Sequence, residues 1–266
     1  MSRIDATFAR LRNARQKGFI AYITGGDPDL DGTQIIAHAL ERAGVDILEI
    51  GLPFSDPLAD GIANQLSAQR ALESGTTIPK LLAMIAEFRK TSELPIVIYS
   101  YLNPVLNHGF QRFHEEAAAA GVDGLLLLDL PPDQAQRSEE LKNSFGLQRI
   151  LLIAPTTPAA RIAQITAAGA GFIYYVSREG VTGEQSSVAT SVPERVKMIR
   201  ATTDLPVAIG FGVSNPEQAA EVAAAGDAVV VGSAIVKRIQ EHAKDPELGE
   251  KIFAFVKPLV DAAHGI

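Results

Sequence analysis

Ala43-Gly44-Val45-Asp46-Ile47-Leu48-Glu49-Ile50 joins the end of a helical pattern to an apolar run with no linker between them. Glycine after the last helical residue stops a helix in the left-handed region, and the chain then turns at once into the next element. The run over 45–50 is apolar on nearly consecutive positions, as in a strand covered on both faces. The same join recurs at Ala120-Gly121, Ala168-Gly169 and Ala225-Gly226. Leu94-Pro95 and Leu205-Pro206 end helices another way, because proline cannot continue one.

Working outward, eight such runs appear, over 19–23, 45–50, 96–99, 124–128, 149–153, 172–176, 207–209 and 228–231. Amphipathic or alanine-rich segments separate them, among them 30–43, 111–120, 159–168, 193–202 and 216–225. This alternation in a chain of 266 residues predicts an α/β fold, a (β/α)8 TIM barrel in one domain over 1–266. An open doubly wound sheet is the alternative, but it rarely uses eight evenly spaced units. Residues 2–15 are expected to form an extra helix before the first strand, and 78–91 an extra helix before the third.

In such a barrel the C-terminal tips of the strands and the loops after them face the active site. Glu49 stands at the tip of the second run, and Asp60 lies beyond a loop rich in proline and glycine. A lone acid is rarely buried unless it is paired or used. Two carboxylates at one mouth suit proton transfer to and from a small molecule, with the loop as a cover. The structural alternatives are a Glu49 tied to an arginine or amide and an Asp60 capping the helix that starts near Gly61. Asp56 is assigned to solvent or a partner. Tyr22 and Tyr101 end the first and third runs and Tyr175 lies near the end of the sixth, where they would line an apolar slot or pack in the core. Asp27 and Asp129, each before a proline-containing turn, read as Asx turns.

The loops after the last three runs are rich in glycine: Ser177 to Gly183, Gly210-Phe211-Gly212-Val213-Ser214-Asn215, and Gly232-Ser233. Glycine lets backbone N–H groups approach an anion, and helix N-termini, here with Ser214, Asn215 and Ser233 as caps, favour negative charge. A phosphate monoester is the expected substrate handle. Gly210-x-Gly212 has Asn215 where a dinucleotide fingerprint needs a third glycine, which argues against NAD.

Composition narrows the chemistry. The net charge of −7 gives no reason to bind a polyanion. With no cysteine, disulfides and thiolate chemistry are excluded. The five histidines are scattered without a pair at i, i+4, so no metal site is expected. No lysine lies in a predicted strand, which argues against a Schiff-base aldolase. No run approaches the length of a membrane helix, and a cytoplasmic protein is expected. Isomerisation and carbon–carbon cleavage by general acid–base catalysis both fit.

The stretch Leu48-Glu49-Ile50-Gly51-Leu52-Pro53-Phe54-Ser55-Asp56-Pro57-Leu58-Ala59-Asp60-Gly61 resembles the signature of the tryptophan synthase alpha chain family. Ala21 to Pro28, Tyr101 to Pro104, Asp129 to Pro131, Ser177 to Gly183, Gly210 to Val213 and Gly232-Ser233 are similar to that family as well, so the resemblance spans the chain. It implies cleavage of indole-3-glycerol phosphate to indole and glyceraldehyde 3-phosphate. Glu49 would protonate the indole ring carbon and act on the glycerol hydroxyl, and Asp60 would hold the indole N–H. Tyr22 would offer its apolar face to the indole, and Tyr175 would orient near the cleaved bond. Gly183, Gly212, Gly232 and Ser233 would hold the phosphate, and Thr182 would close over Asp60. The resemblance also implies a beta chain partner carrying pyridoxal phosphate, in an alpha2beta2 tetramer, contacting residues 54–58 and the Asn103-Pro104 loop. No cofactor is expected in this chain. A stand-alone lyase and a catalytically silent activating subunit are the rival readings.

Overall fold

The computed structural model describes residues 2–135, 138, 141, 144–176, 191–210 and 212–265. Nine strands form one sheet: β1 (Gly18–Thr24), β2 (Ile47–Gly51), β3 (Ile96–Ser100), β4 (Gly124–Leu127), β5 (Gln148–Arg149), β6 (Leu151–Ile153), β7 (Ile173–Val176), β8 (Val207–Gly210) and β9 (Ala228–Val231). Their order is β5-β4-β3-β2-β1-β9-β8-β7-β6, and every pairing is parallel. β5 and β6 are two halves of the fifth predicted strand, split at Ile150. One half pairs with β4 and the other with β7, so this stretch closes the cylinder. The expected (β/α)8 barrel is therefore observed, with nine segments filling eight positions.

Twelve helices surround the strands among the described residues: α1 (Arg3–Ala14), α2 (Leu30–Ala43), α3 (Ile62–Glu73), α4 (Ile78–Phe88), α5 (Leu102–His108), α6 (Phe110–Ala119), α7 (Pro132–Ala135), α8 (Ala159–Ala168), α9 (Ser191–Arg200), α10 (Pro216–Ala225), α11 (Ser233–His242) and α12 (Leu248–His264). The two extra helices expected from sequence are α1 and α4. None of the described helices is long and apolar enough to cross a membrane.

The Ala-Gly joins divide into two kinds. Gly44 (φ 92°) and Gly121 (φ 89°) are left-handed, as expected. Gly169 (φ −84°) and Gly226 (φ −121°) are not. A Cβ at Gly226 would stand 2.9 Å from the Val207 carbonyl oxygen and 2.8 Å from Ile209 Cδ1, so glycine there answers close packing rather than handedness.

Successive strand residues point to opposite faces, and this produces two nested cores. Inside the cylinder lie Ile20, Ile47, Val97, Leu126, Ile150, Phe172, Ala208 and Ala228, with Ile4, Phe8 and Leu11 of α1 as the floor. Outside it, Phe19, Ala21, Leu48, Ile50, Ile98, Ile173 and Tyr175 pack against the helices. Three aspartates brace the floor. The carboxylates of Asp46, Asp123 and Asp227 each accept a hydrogen bond at 2.9 Å from the backbone N–H at the start of a neighbouring strand, at Phe19, Ile96 and Val207. Each is also ion-paired: Asp46 with Arg10 (2.5 Å), Asp123 with Arg3 and Arg89 (both 3.2 Å), and Asp227 with Arg200 (2.8 Å); Asp46 is hydrogen-bonded to His264 as well (2.7 Å).

Candidate active site

The same alternation that fills the floor decides what faces the mouth. Tyr22 and Glu49 are register partners on β1 and β2 and share the inward face of Ile20 and Ile47. On β3 the inward series Val97, Tyr99 continues to Tyr101 just past the strand. Into and along β7 it runs Phe172, Tyr174, and at or just past the ends of β8 and β9 it reaches glycine at 210, 212 and 232. These residues enclose a cavity of about 270 Å3 lined by Tyr22, Glu49, Asp60, Tyr99, Tyr174, Gly212 and Ser233 among others. Leu128, Leu152, Ala154, Val176 and Val230 supply an apolar wall.

Glu49 is 1% exposed, and neither of its carboxylate oxygens has a hydrogen-bond partner. Burial first, and then the nearby charge of Asp60, push its pKa from 4.5 up to about 8. Neither structural alternative for Glu49, an arginine or a backbone amide, is present among the described residues. An unpaired buried carboxyl that is neutral at pH 7 is a poised proton donor.

Asp60 arrives on the loop between β2 and α3. That loop is folded back onto β3: Leu52 N–H donates to the Tyr99 carbonyl and Ala59 N–H to the Tyr101 hydroxyl, both at 2.9 Å. Asp60 then accepts Tyr99 OH on Oδ1 and Tyr101 OH on Oδ2, each at 2.9 Å. Burial pushes its pKa up, and the hydrogen bonds from Tyr101, Tyr99 and Asn64 pull it back toward the charged form. The capping alternative fails: Gly61 is the N-cap of α3, and no side chain caps that helix. Tyr22, Tyr99 and Tyr174 have pKa values well above 10, mainly through burial and then through the carboxylates around them, so all three remain neutral hydroxyls.

Across the mouth from β3, Gly210 ends β8 and Gly212 follows it, while Gly232 and Ser233 open α11. The N-cap of α11 is Gly232, not Ser233; both residues line the cavity all the same. Asn215 does cap α10, accepting from Gln218 N–H at 2.9 Å. Gly212 needs its glycine, with φ 76°. At Gly210 a Cβ would stand 2.9 Å from the Tyr174 hydroxyl. An anion at this rim would meet the N-terminus of α11 and the glycine backbone at 210 and 212.

The residues singled out from sequence thus fall into four groups. Tyr22, Glu49, Asp60, Gly212, Gly232 and Ser233 line one cavity. Tyr101 reaches it through Asp60. Thr182 and Gly183 lie outside the described residues. Tyr175 is corrected: it is 1% exposed in the outer core between the strands and the helices, and its neighbour Tyr174 occupies the inward position. Sequence reasoning missed Tyr99, Asn64 and Tyr174. Asp27 is also corrected, since its buried carboxylate is held by Arg70 at 2.7 Å and Ser67 at 2.5 Å rather than by an Asx turn. Asp129 accepts the Leu102 N–H at 2.6 Å. A larger hollow of about 500 Å3 at the floor, lined by Arg12, Arg15, Lys17 and Arg200, holds no unpaired buried acid.

The family model of the tryptophan synthase alpha chain matches residues 8–263. The tryptophan synthase alpha chain of Opitutus terrae is 51% identical over 247 residues, covering 93% of each chain. That of Geobacter sulfurreducens is 48% identical, covering 98% of this chain and 99% of its own. Among solved structures, tryptophan synthase subunit alpha from Legionella pneumophila superposes with a TM-score of 0.88 at 35% identity, covering 100% of both chains. Mycobacterium tuberculosis tryptophan synthase does so with a TM-score of 0.89 at 34% identity, covering 99% of both.

Proposed function

The chain belongs to the tryptophan synthase alpha chain family, and on that premise we propose that its cavity cleaves indole-3-glycerol phosphate to indole and glyceraldehyde 3-phosphate. The observation that carries this reading is the unpaired, buried Glu49 carboxyl beside a hydrogen-bonded Asp60. With a pKa of about 8, Glu49 is protonated roughly ten to one at pH 7. Its proton goes to the indole ring carbon that bears the glycerol chain. The ring nitrogen becomes positive, and the Asp60 carboxylate accepts its N–H and stabilises that charge. The Glu49 carboxylate then takes the proton of the adjacent glycerol hydroxyl. The carbon–carbon bond breaks, its electron pair restores the aromatic ring, and the hydroxyl carbon becomes the aldehyde. Glu49 ends as it began, protonated.

The apolar wall suits the indole, and the glycine rim with the N-terminus of α11 suits the phosphate. A grip on the phosphate supplies binding energy away from the reacting carbon and orients it. Tyr22, in edge contact with Tyr99 at 5.2 Å, offers its ring to the same slot.

The partner in this reading is a beta chain, in an alpha2beta2 assembly, that carries the pyridoxal phosphate and consumes the indole. The support on this chain is the surface beside the mouth. Leu58 is 90% exposed and Ile62 73%, and the earlier part of the same loop, 52–55, forms a cleft of about 370 Å3 with Asn103, Pro104 and Asn107.

The test is to mix purified protein with indole-3-glycerol phosphate, with and without a beta chain, and follow indole. Slow release by the chain alone that rises with the beta chain is expected. No indole under either condition would reject the cleavage. A rate indifferent to any beta chain would leave a stand-alone lyase. The Glu49→Gln variant should bind substrate and lose cleavage, and normal turnover would remove Glu49 from the chemistry.

A further inference from the structure

Asp60 is held by two tyrosines rather than one, and the two are not equivalent. Tyr101 OH donates to Oδ2 at 2.9 Å and also accepts the Ala59 N–H of the loop at 2.9 Å, so it is bound up with the segment that carries Asp60. Tyr99 OH donates to Oδ1 at 2.9 Å from within the barrel. Its ring lies edge-on to Tyr22 at 5.2 Å and 73°. The register partner of Tyr99 on β2 is Gly51, where a Cβ would come within 2.3 Å of the Tyr22 hydroxyl. The absent side chain at Gly51 thus leaves room for the Tyr22 and Tyr99 pair.

We propose that Tyr99 is a positioning residue for the cleavage: a hydroxyl anchored in the barrel that fixes the plane and the charge of Asp60 before substrate arrives. This rests on the reading of Asp60 as acceptor of the indole N–H. With one donor, the carboxylate is free to turn about its last side-chain bond. With a donor on each oxygen, both from β3 and its end, that rotation stops, and lone pairs remain for the substrate. Donors to the charged form also favour it over the neutral acid. The groups facing Asp60 are Glu49 from β2, Tyr22 from β1, Tyr99 and Tyr101 from β3 and its end, Tyr174 from β7 and Asn64 from α3. No lysine, arginine or histidine stands among the described lining residues, and among these residues hydroxyl and amide donors hold the charge.

The experiment compares wild type with Tyr99→Phe, which keeps the ring, and Tyr99→Leu, which does not, each in complex with a beta chain. In both variants kcat should fall about tenfold at pH 7, equivalent to about 1.4 kcal/mol. KM should move less than threefold, and the acid limb of the kcat/KM profile should shift to higher pH. A carbon-13 NMR titration of the aspartate carboxyls, with Asp60→Asn for assignment, should show Asp60 titrating at higher pH in Tyr99→Phe. A lowered melting temperature with unchanged kcat, acid limb and Asp60 titration would make Tyr99 merely structural and overturn the proposal. If wild type releases no indole, the cleavage reading fails, and the NMR titration still decides whether Tyr99 holds the charge of Asp60.

Discussion

Replacing Glu49 by glutamine should change stability relative to wild type by an amount that rises with pH. In the unfolded chain a glutamate gives up its proton near 4.5, whereas in the folded protein Glu49 holds it to about 8. Between those values the folded state binds a proton that the unfolded state has lost, so wild-type stability falls as pH rises. Each pH unit in that window is worth about 1.4 kcal/mol, giving a loss on the order of 5 kcal/mol by pH 8. Glutamine carries no charge and escapes this loss. Any cost of burying its amide is the same at every pH and drops out of the trend. The stability of Glu49→Gln minus that of wild type should therefore rise by about 4 kcal/mol between pH 5 and pH 8 and level off above. The chain has no tryptophan, so equilibrium urea unfolding would be followed by far-ultraviolet circular dichroism at four or five pH values. A difference that stays flat across the range would refute the claim that Glu49 is buried, unpaired and protonated.

Three further outcomes are expected. Tyr175→Phe should keep kcat within about twofold of wild type in an indole-release assay, because the side chain belongs to the outer core. Gly51→Ala should lower kcat/KM at least about tenfold, since its Cβ would come within 2.3 Å of the Tyr22 hydroxyl and drive that ring into the cavity; steady-state kinetics on a folded variant would show it. Arg70→Ala should cost about 3 kcal/mol in urea unfolding, because the Asp27 carboxylate, 1% exposed, would lose its ionic partner and keep only Ser67.

The barrel was legible because its strands are apolar on consecutive positions and its helices end at Ala-Gly or before proline, a pattern that repeats at nearly even spacing. What that pattern hides is direction. A run apolar on both faces carries no alternation, so nothing within Phe172-Ile173-Tyr174-Tyr175-Val176 says which tyrosine points inward, and nearness to the tip favours Tyr175 wrongly. Tyr99 was within reach: it stands two residues before Tyr101, hence on the same face. Glu49 and Asp60 stood out because acids are anomalous at a strand tip and at the end of an apolar loop. The ion pair of Asp27 with Arg70 joins residues 43 apart, and no short-range pattern reports such a contact. The split at Ile150 was equally hidden, since it follows from closing the cylinder.

The bracing of the barrel floor bears on how the chain assembles in time. Asp46 reaches back to Phe19, Asp123 to Ile96 and Asp227 to Val207, spans of 27, 27 and 20 residues, so each latch closes as soon as its own short segment exists. The first helix is different. It is fastened through Arg3 to Asp123 and through Arg10 to Asp46, and Lys17 just after it grips the Gly226 carbonyl at 2.7 Å. The first helix is thus among the last elements to find its seat. Until more than two hundred further residues have been made, its apolar stripe of Ile4, Phe8 and Leu11 has no finished floor to plug, and a nascent chain halted short of β9 should leave that stripe open to chaperones and proteases.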